Sequence, residues 1–142
     1  MYIKQISIFL ENKSGQLAEA ADFLKKNNID LRALSIADTA EFGILRIIVD
    51  APETTLSLLK DAGYACTVTD MLAVQIKDAP GGLADAVCVL AENGISVEYS
   101  YSFPTLNPET ALLIFRVEDN AAAEAALKKA GFCVLGQEIL SK

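Results

Sequence analysis

The stretch Gly15-Gln16-Leu17-Ala18 returns, 66 positions later, as Gly81-Gly82-Leu83-Ala84. The same offset pairs Ala20 with Ala86, Leu24 with Leu90, Asn27 with Asn93 and Ile29 with Ile95. A second block matches after a two-residue insertion, pairing Val49 with Val117, Leu59-Lys60 with Leu127-Lys128, and Ala62-Gly63-Tyr64 with Ala130-Gly131-Phe132. The insertion falls at Phe103-Pro104-Thr105-Leu106-Asn107-Pro108, where two prolines mark an irregular loop. Self-similarity of this kind means one supersecondary assembly used twice.

Reading outward from the repeat gives the element order. Before it, Ile6, Ile8 and Leu10 alternate with Gln5, Ser7 and Phe9, which predicts a strand over Ile3 to Leu10. Leu17, Ala20, Ala21 and Leu24 then recur at helical spacing, with Ser14 suited to the N-cap and Asn27-Asn28 to the stop. Leu31 to Ala37 and Gly43 to Val49 are β-rich and joined by the polar turn Asp38-Thr39-Ala40-Glu41, so a hairpin is expected. Pro52 sits early in a second helix that runs through Leu56 and Leu59 and stops at Gly63, and Tyr64 to Thr69 returns as a strand. The order is βαββαβ, twice. Burying one apolar stripe per helix against one sheet face makes this an α+β, ferredoxin-like sandwich duplicated in tandem. The second copy starts without a linker, placing the boundary near Asp70, with units at 1–70 and 71–142.

Composition narrows the chemistry. The 142 residues carry 12 Lys plus Arg against 19 Asp plus Glu, a net charge of -7, and no histidine. Divided at Asp70, the charges are 7 basic and 10 acidic before the boundary and 5 and 9 after it, so the units carry -3 and -4. Without histidine, Ser-His-Asp and Cys-His nucleophilic catalysis, His general acid/base work and His-ligated metal are excluded. The acidic balance argues against nucleic acid as a partner, since that affinity depends on clustered Lys and Arg. The adjacent basic pairs Lys25-Lys26 and Lys128-Lys129 read as helix C-terminal ends, where positive charge suits the macrodipole. Cys66, Cys88 and Cys133 are an odd, widely spaced set, which predicts no disulfide framework, no metal or redox motif, and buried thiols in a reduced, cytoplasmic compartment. The N-terminus does not read as a signal peptide, and no apolar run approaches the ~18 residues of a membrane span, so no membrane partner and no cofactor are expected.

The segments most able to carry function are Asn12-Lys13-Ser14-Gly15-Gln16-Leu17 and Asp78-Ala79-Pro80-Gly81-Gly82-Leu83, each between the first strand and first helix of its copy. A glycine at the first helical turn leaves backbone N–H groups facing outward, and the helix dipole adds partial positive charge. That combination suits a small anion such as a carboxylate. Equally, Gly15 and Gly81 can serve only to make a tight turn, with Asn12 and Asp78 bonding turn amides.

A βαββαβ unit whose first helix opens on D/N-x-(P)-G-x-L resembles the ACT domain, a small regulatory ligand-binding module attached to many enzymes of amino-acid metabolism. The resemblance covers essentially the whole chain as two tandem units, with no catalytic domain attached. It implies a free amino acid held between the strand-to-helix loop of one unit and strands of another. Carried onto this sequence, Asn12, Ser14, Gly15, Gln16 and Leu17 form the first candidate loop, and Asp78, Pro80, Gly81, Gly82 and Leu83 the second. Asn12 and Asp78 would accept from the ligand ammonium while amides around Gly15 and Gly81 receive its carboxylate. Ser14 departs from the pattern that Pro80 keeps, so the loops are not expected to bind equally.

Other residues extend this reading. Tyr99 and Tyr101 replace Ala33 and Ser35 of the first copy. There the apolar phase shifts from Ile29 and Leu31 to Leu34 and Ile36, which suggests a β-bulge. If the second copy shares it, both tyrosines leave the helix-covered face and either reach an interface pocket or pack as ordinary strand residues. Arg46 reads as a carboxylate partner or as an exposed strand residue. Glu124 and Lys128 read as an i,i+4 pair on a solvated helix face. The expectation is a non-catalytic regulatory protein that binds an amino acid, forms a homo-oligomer, specifically a homodimer, and acts allosterically on a metabolic enzyme. The alternative is a module that docks or dimerises without ligand. An enzyme is disfavoured, as no nucleophile-base pair, metal cluster or phosphate loop is recognisable.

Overall fold

The computed structural model describes residues 2–11, 13–38, 42–105 and 107–140. They form two compact units, Lys4–Thr69 and the residues from Asp70 onward, to which Tyr2 and Ile3 also belong. The elements are β1 (Ile3–Glu11), α1 (Gln16–Lys26), β2 (Leu31–Asp38), β3 (Phe42–Val49), α2 (Pro52–Asp61), β4 (Ala65–Lys77), α3 (Gly82–Glu92), β5 (Val97–Phe103), β6 (Thr110–Val117), α4 (Asn120–Lys129) and β7 (Cys133–Leu135). A 3-10 turn over Gln137–Leu140 follows. β4 is a single strand of 13 residues whose first part completes one βαββαβ order and whose remainder opens the next. The duplicated ferredoxin-like order read from the repeat is present.

In the first unit the strands neighbour one another as β2-β3-β1-β4. β1 runs antiparallel to β3 with Ile6 opposite Ile47 and Ile8 opposite Leu45. β2 is antiparallel to β3, as a hairpin requires. The expected turn residues 39–41 lie outside the described residues. Cross-strand partners share a face, so Ile6, Ile8, Leu10, Leu45, Ile47 and Val49 form one apolar side. Ala20 and Leu24 of α1 and Leu59 of α2 close over it. Burying each such aliphatic side chain is worth about 1.5–3 kcal/mol, which is why two amphipathic helices settle there. On the opposite side of β1, Gln5 and Ser7 are polar yet buried. Gln5 is fully buried and its amide Nε2 donates to Ser7 Oγ at 3.3 Å, so the two side chains meet part of each other's polar demand.

The second unit repeats the scheme, with β7-β4-β6-β5 as its order. Leu72 stands opposite Phe115 and Val74 opposite Leu113. Ala86 and Leu90 of α3 and Ala123 and Leu127 of α4 cover that face. Tyr2 packs against this core and its hydroxyl donates to Glu124 Oε1 at 3.2 Å, so burial first and that carboxylate second raise its pKa. Lys128 pairs with Glu124 at 3.1 Å, the i,i+4 contact that the spacing suggested.

Both units carry the same β-bulge. The β2–β3 register shifts between Leu31 and Ala33, and the β5–β6 register shifts between Val97 and Tyr99. The extra residue is Arg32 in one copy and Glu98 in the other. Each is charged and each pairs across to the neighbouring segment, Arg32 with Asp50 and Glu98 with Arg116. Before the bulge, Leu31 and Val97 belong to the helix-covered cores. After it, Tyr99 pairs with Arg116 and Tyr101 with Ile114, on the other face.

Two expectations are corrected. Ser14 does not cap α1: Gly15 occupies the N-cap in the left-handed region with φ 89°, and no side chain caps the helix. A tight left-handed turn puts glycine at the position where a capping hydroxyl would otherwise stand. Cys88 and Cys133 are exposed, and only Cys66 is partly buried, where loss of solvent pushes its thiol pKa up. Cys88 falls on the outer side of α3, away from the stripe that Ala86 and Leu90 bury.

The helix caps differ in kind. α4 alone among the described helices has a side-chain cap, the Asp119 carboxylate accepting from Ala122 N at 3.0 Å. Asp119→Ala is expected to cost about 1 kcal/mol, measured as a lowered urea midpoint, whereas an unchanged midpoint would show the cap to be energetically silent.

Candidate functional site

Each unit begins its first helix by the same turn. In the first, Gln16 N donates to Lys13 O at 3.3 Å and Glu19 N to Gly15 O at 2.9 Å. In the second, Gly82 N donates to Ala79 O at 3.0 Å and Asp85 N to Gly81 O at 2.9 Å. The amides between them, Leu17 and Ala18 in one loop and Leu83 and Ala84 in the other, find no acceptor among the described residues. Gly15 and Gly81 adopt φ of 89° and 90°, which turns the chain sharply enough to leave these donors at the surface. The paired amides and the positive helix end can receive a carboxylate.

The loops are alike in backbone and unlike in detail. Gly82 is buried, and a Cβ there would lie 2.1 Å from the carbonyl oxygen of Lys77. Gln16 stands at the matching position of the first unit, so only the second loop hugs its strand. Ser14 and Pro80 are both exposed, as is Asp78, whose carboxylate takes no hydrogen bond among the described residues. The Asx-type reading of Asp78 therefore finds no contact here, while Asn12 lies outside the described residues.

Beside the first loop is a groove of about 260 Å³. Leu10, Leu17, Ile36 and Leu45 line its apolar part, and Glu11, Lys13 and Gln16 its rim. Lys13 Nζ meets Glu11 Oε2 at 2.8 Å. Their hydrogen bond holds the Glu11 carboxyl below its usual range and the Lys13 ammonium above its own. Leu17 and Ile36 are 43% and 55% exposed, large values for such residues, and both face this groove. The sequence reading included Gln16 and Leu17 but not Leu10, Glu11, Lys13, Ile36 or Leu45. One signal was available: Leu34 and Ile36 repeat at period two on a strand whose later copy has Ser100 and Ser102 there.

Tyr99 and Tyr101 do not join the Gly81 loop within their unit. They lie on the sheet face away from α3 and α4, with the Tyr99 hydroxyl 3.9 Å from Met71 Sδ. Arg46 also lies on the face away from the helices in its unit, half-buried between Ser7 and Ser35 on the neighbouring strands. Among the described residues no cluster of His, Cys, Asp or Glu is arranged to hold a metal, and no helix is long and apolar enough to cross a membrane.

A family model described as an ACT domain pair matches residues 1–139. The chain belongs to this family. As an ACT domain pair it also has solved relatives. A crystallised protein from Bacteroides thetaiotaomicron is 40% identical, with TM-score 0.90 and coverage of 100% of this chain and 97% of that one. The ligand-free regulatory subunit of aspartate kinase from Thermus thermophilus shares the fold at 17% identity and TM-score 0.65, covering 92% and 94% of the two chains. A C-terminal regulatory domain of aspartate kinase from Porphyromonas gingivalis, so assigned putatively, has TM-score 0.51 at 16% identity, covering 90% and 91%. Comparison with curated proteins gives no match.

Proposed function

We propose that this ACT domain pair, with units at 1–70 and 71–142, is a non-catalytic sensor that binds a free amino acid at an interface between ACT units, within one chain or between chains, and passes the binding on as a change in association. The observation that carries the reading is the duplicated turn, in which a left-handed glycine leaves two helix-opening amides in each unit without acceptors among the described residues. A carboxylate on those amides is a charge-assisted contact, and Asn12 and Asp78 are placed in the sequence to receive the ammonium. Tyr99 and Tyr101, turned away from their own helices, are available in this reading to a ligand carried by another unit. A ligand gripped by two units at once favours one arrangement of them, which is how a small molecule acquires an allosteric effect. The regulatory subunit of aspartate kinase that shares this fold supports a regulatory role beside a metabolic enzyme; a homodimer in the cytoplasm is part of the proposal, on the sequence alone.

Calorimetric titration of the intact chain with each common amino acid tests this. At least one is expected to bind and, at a hundredfold excess over its Kd, to stabilise the protein by about 2.7 kcal/mol. No heat and no thermal shift with any of them would overturn the proposal. The exposed Leu17, Leu34 and Ile36 favour a second reading, docking without ligand. Sedimentation separates the two, because a ligand-independent module assembles identically with and without amino acid.

A further inference from the structure

We infer that the groove of the first unit receives the side chain of an aliphatic amino acid, and that the matching place in the second unit does not. This rests on the sensor reading and adds a ligand class to it. The groove combines an apolar floor with one carboxylate and one ammonium at its rim, Glu11 and Lys13. A zwitterion with an aliphatic body has the same make-up. Its two charges can exchange partners with that exposed ion pair, leaving no unmatched charge, while its side chain covers Leu17 and Ile36, which water now wets. At about 260 Å³ the groove is just under the ~300–1,000 Å³ of pockets that enclose drug-sized ligands, which suits a single amino acid.

The second unit provides the contrast. By the repeat, Glu11 becomes Lys77, Lys13 becomes Ala79, and Leu34 and Ile36 become Ser100 and Ser102. Ser100 and Ser102 occupy equivalent register positions, opposite Phe115 and Leu113, as Leu34 and Ile36 stand opposite Ile47 and Leu45. The balanced ion pair and the aliphatic wall are both lost, although Leu83 is even more exposed than Leu17.

The test is calorimetry on the intact chain with L-leucine and L-isoleucine, set against L-serine and L-aspartate. The aliphatic pair is expected to bind more tightly. Ile36→Ser, which installs the second unit's residue type at a position already 55% exposed, is expected to weaken aliphatic binding at least tenfold. Ile36→Val should change it only a few-fold, and both variants should melt with the parent. Methyl NMR of the unaltered chain gives an independent readout, with ligand shifting Leu17 and Ile36 and sparing Leu83. Binding of serine or aspartate in preference to the aliphatic pair, or an Ile36→Ser chain that keeps full aliphatic affinity, overturns the inference and leaves the sensor reading standing. Absence of binding by every amino acid removes both.

Discussion

Gly82→Ala is expected to destabilise the protein by about 3 kcal/mol, lowering its melting temperature by several degrees. Two effects of opposite sign compete at this position. Alanine is the better helix former, by up to ~1 kcal/mol. Against that, the added Cβ would sit 2.1 Å from the Lys77 carbonyl oxygen, a distance that only a backbone shift can relieve. Lys77 is the last residue of β4 and Gly82 the first of α3, so relief means moving a helix off its sheet or breaking a strand end. The clash therefore wins. Gln16→Ala, at the matching place in the first unit, is the control and should fall within about 0.5 kcal/mol of the parent. Thermal and urea unfolding followed by circular dichroism measure both, and a Gly82→Ala chain as stable as the parent would show that α3 can retreat at little cost.

Phe115→Ala is expected to have the largest effect, about 3–5 kcal/mol. Phe115 is fully buried on β6, opposite Leu72 and beneath Ala86, Leu90, Ala123 and Leu127. Three of its neighbours on the helices and strands are large, but the helices meet the ring partly through alanines, which have no reach to fill a void. The gap left by a deleted ring is thus poorly closed, and the cavity term adds to the lost transfer energy. Native-state hydrogen exchange gives the sharpest readout, since amides of α3 and α4 should lose protection by the same free energy. Unchanged protection there would mean that the core repacks far more freely than its helix positions allow.

Much of this was legible in the sequence because the repeat supplied two readings of one pattern. Ile6, Ile8 and Leu10 alternate, and so do Leu72, Val74 and Ile76, and both sets proved to face helices. The bulge was inferred from a phase change at Leu31 to Leu34 and is found in both copies. What escaped was local or three-dimensional. Ser14 has the right chemistry for a cap, but the left-handed turn at Gly15 moves the helix start one residue past it. Gln5 and Ser7 look solvated by type, yet they are buried, because polarity along a strand does not say whether its second face is covered. The groove depends on Ile36 and Leu45 meeting Leu17 across a hairpin and a helix end, a convergence that linear spacing cannot express.

A single supernumerary residue reverses the parity of a strand: odd positions up to Leu31 and Val97 point to the helices, and odd positions beyond point the other way. Both copies keep this reversal at the same place, but what they display after it has diverged. One shows Ala33, Ser35 and Ala37, the other Tyr99, Tyr101 and Phe103. The backbone instruction is shared between the halves while its vocabulary differs, small and featureless in one, aromatic in the other. Two halves with one architecture are therefore not interchangeable parts, and a chimera carrying the same half twice would keep the fold while losing one of its two faces.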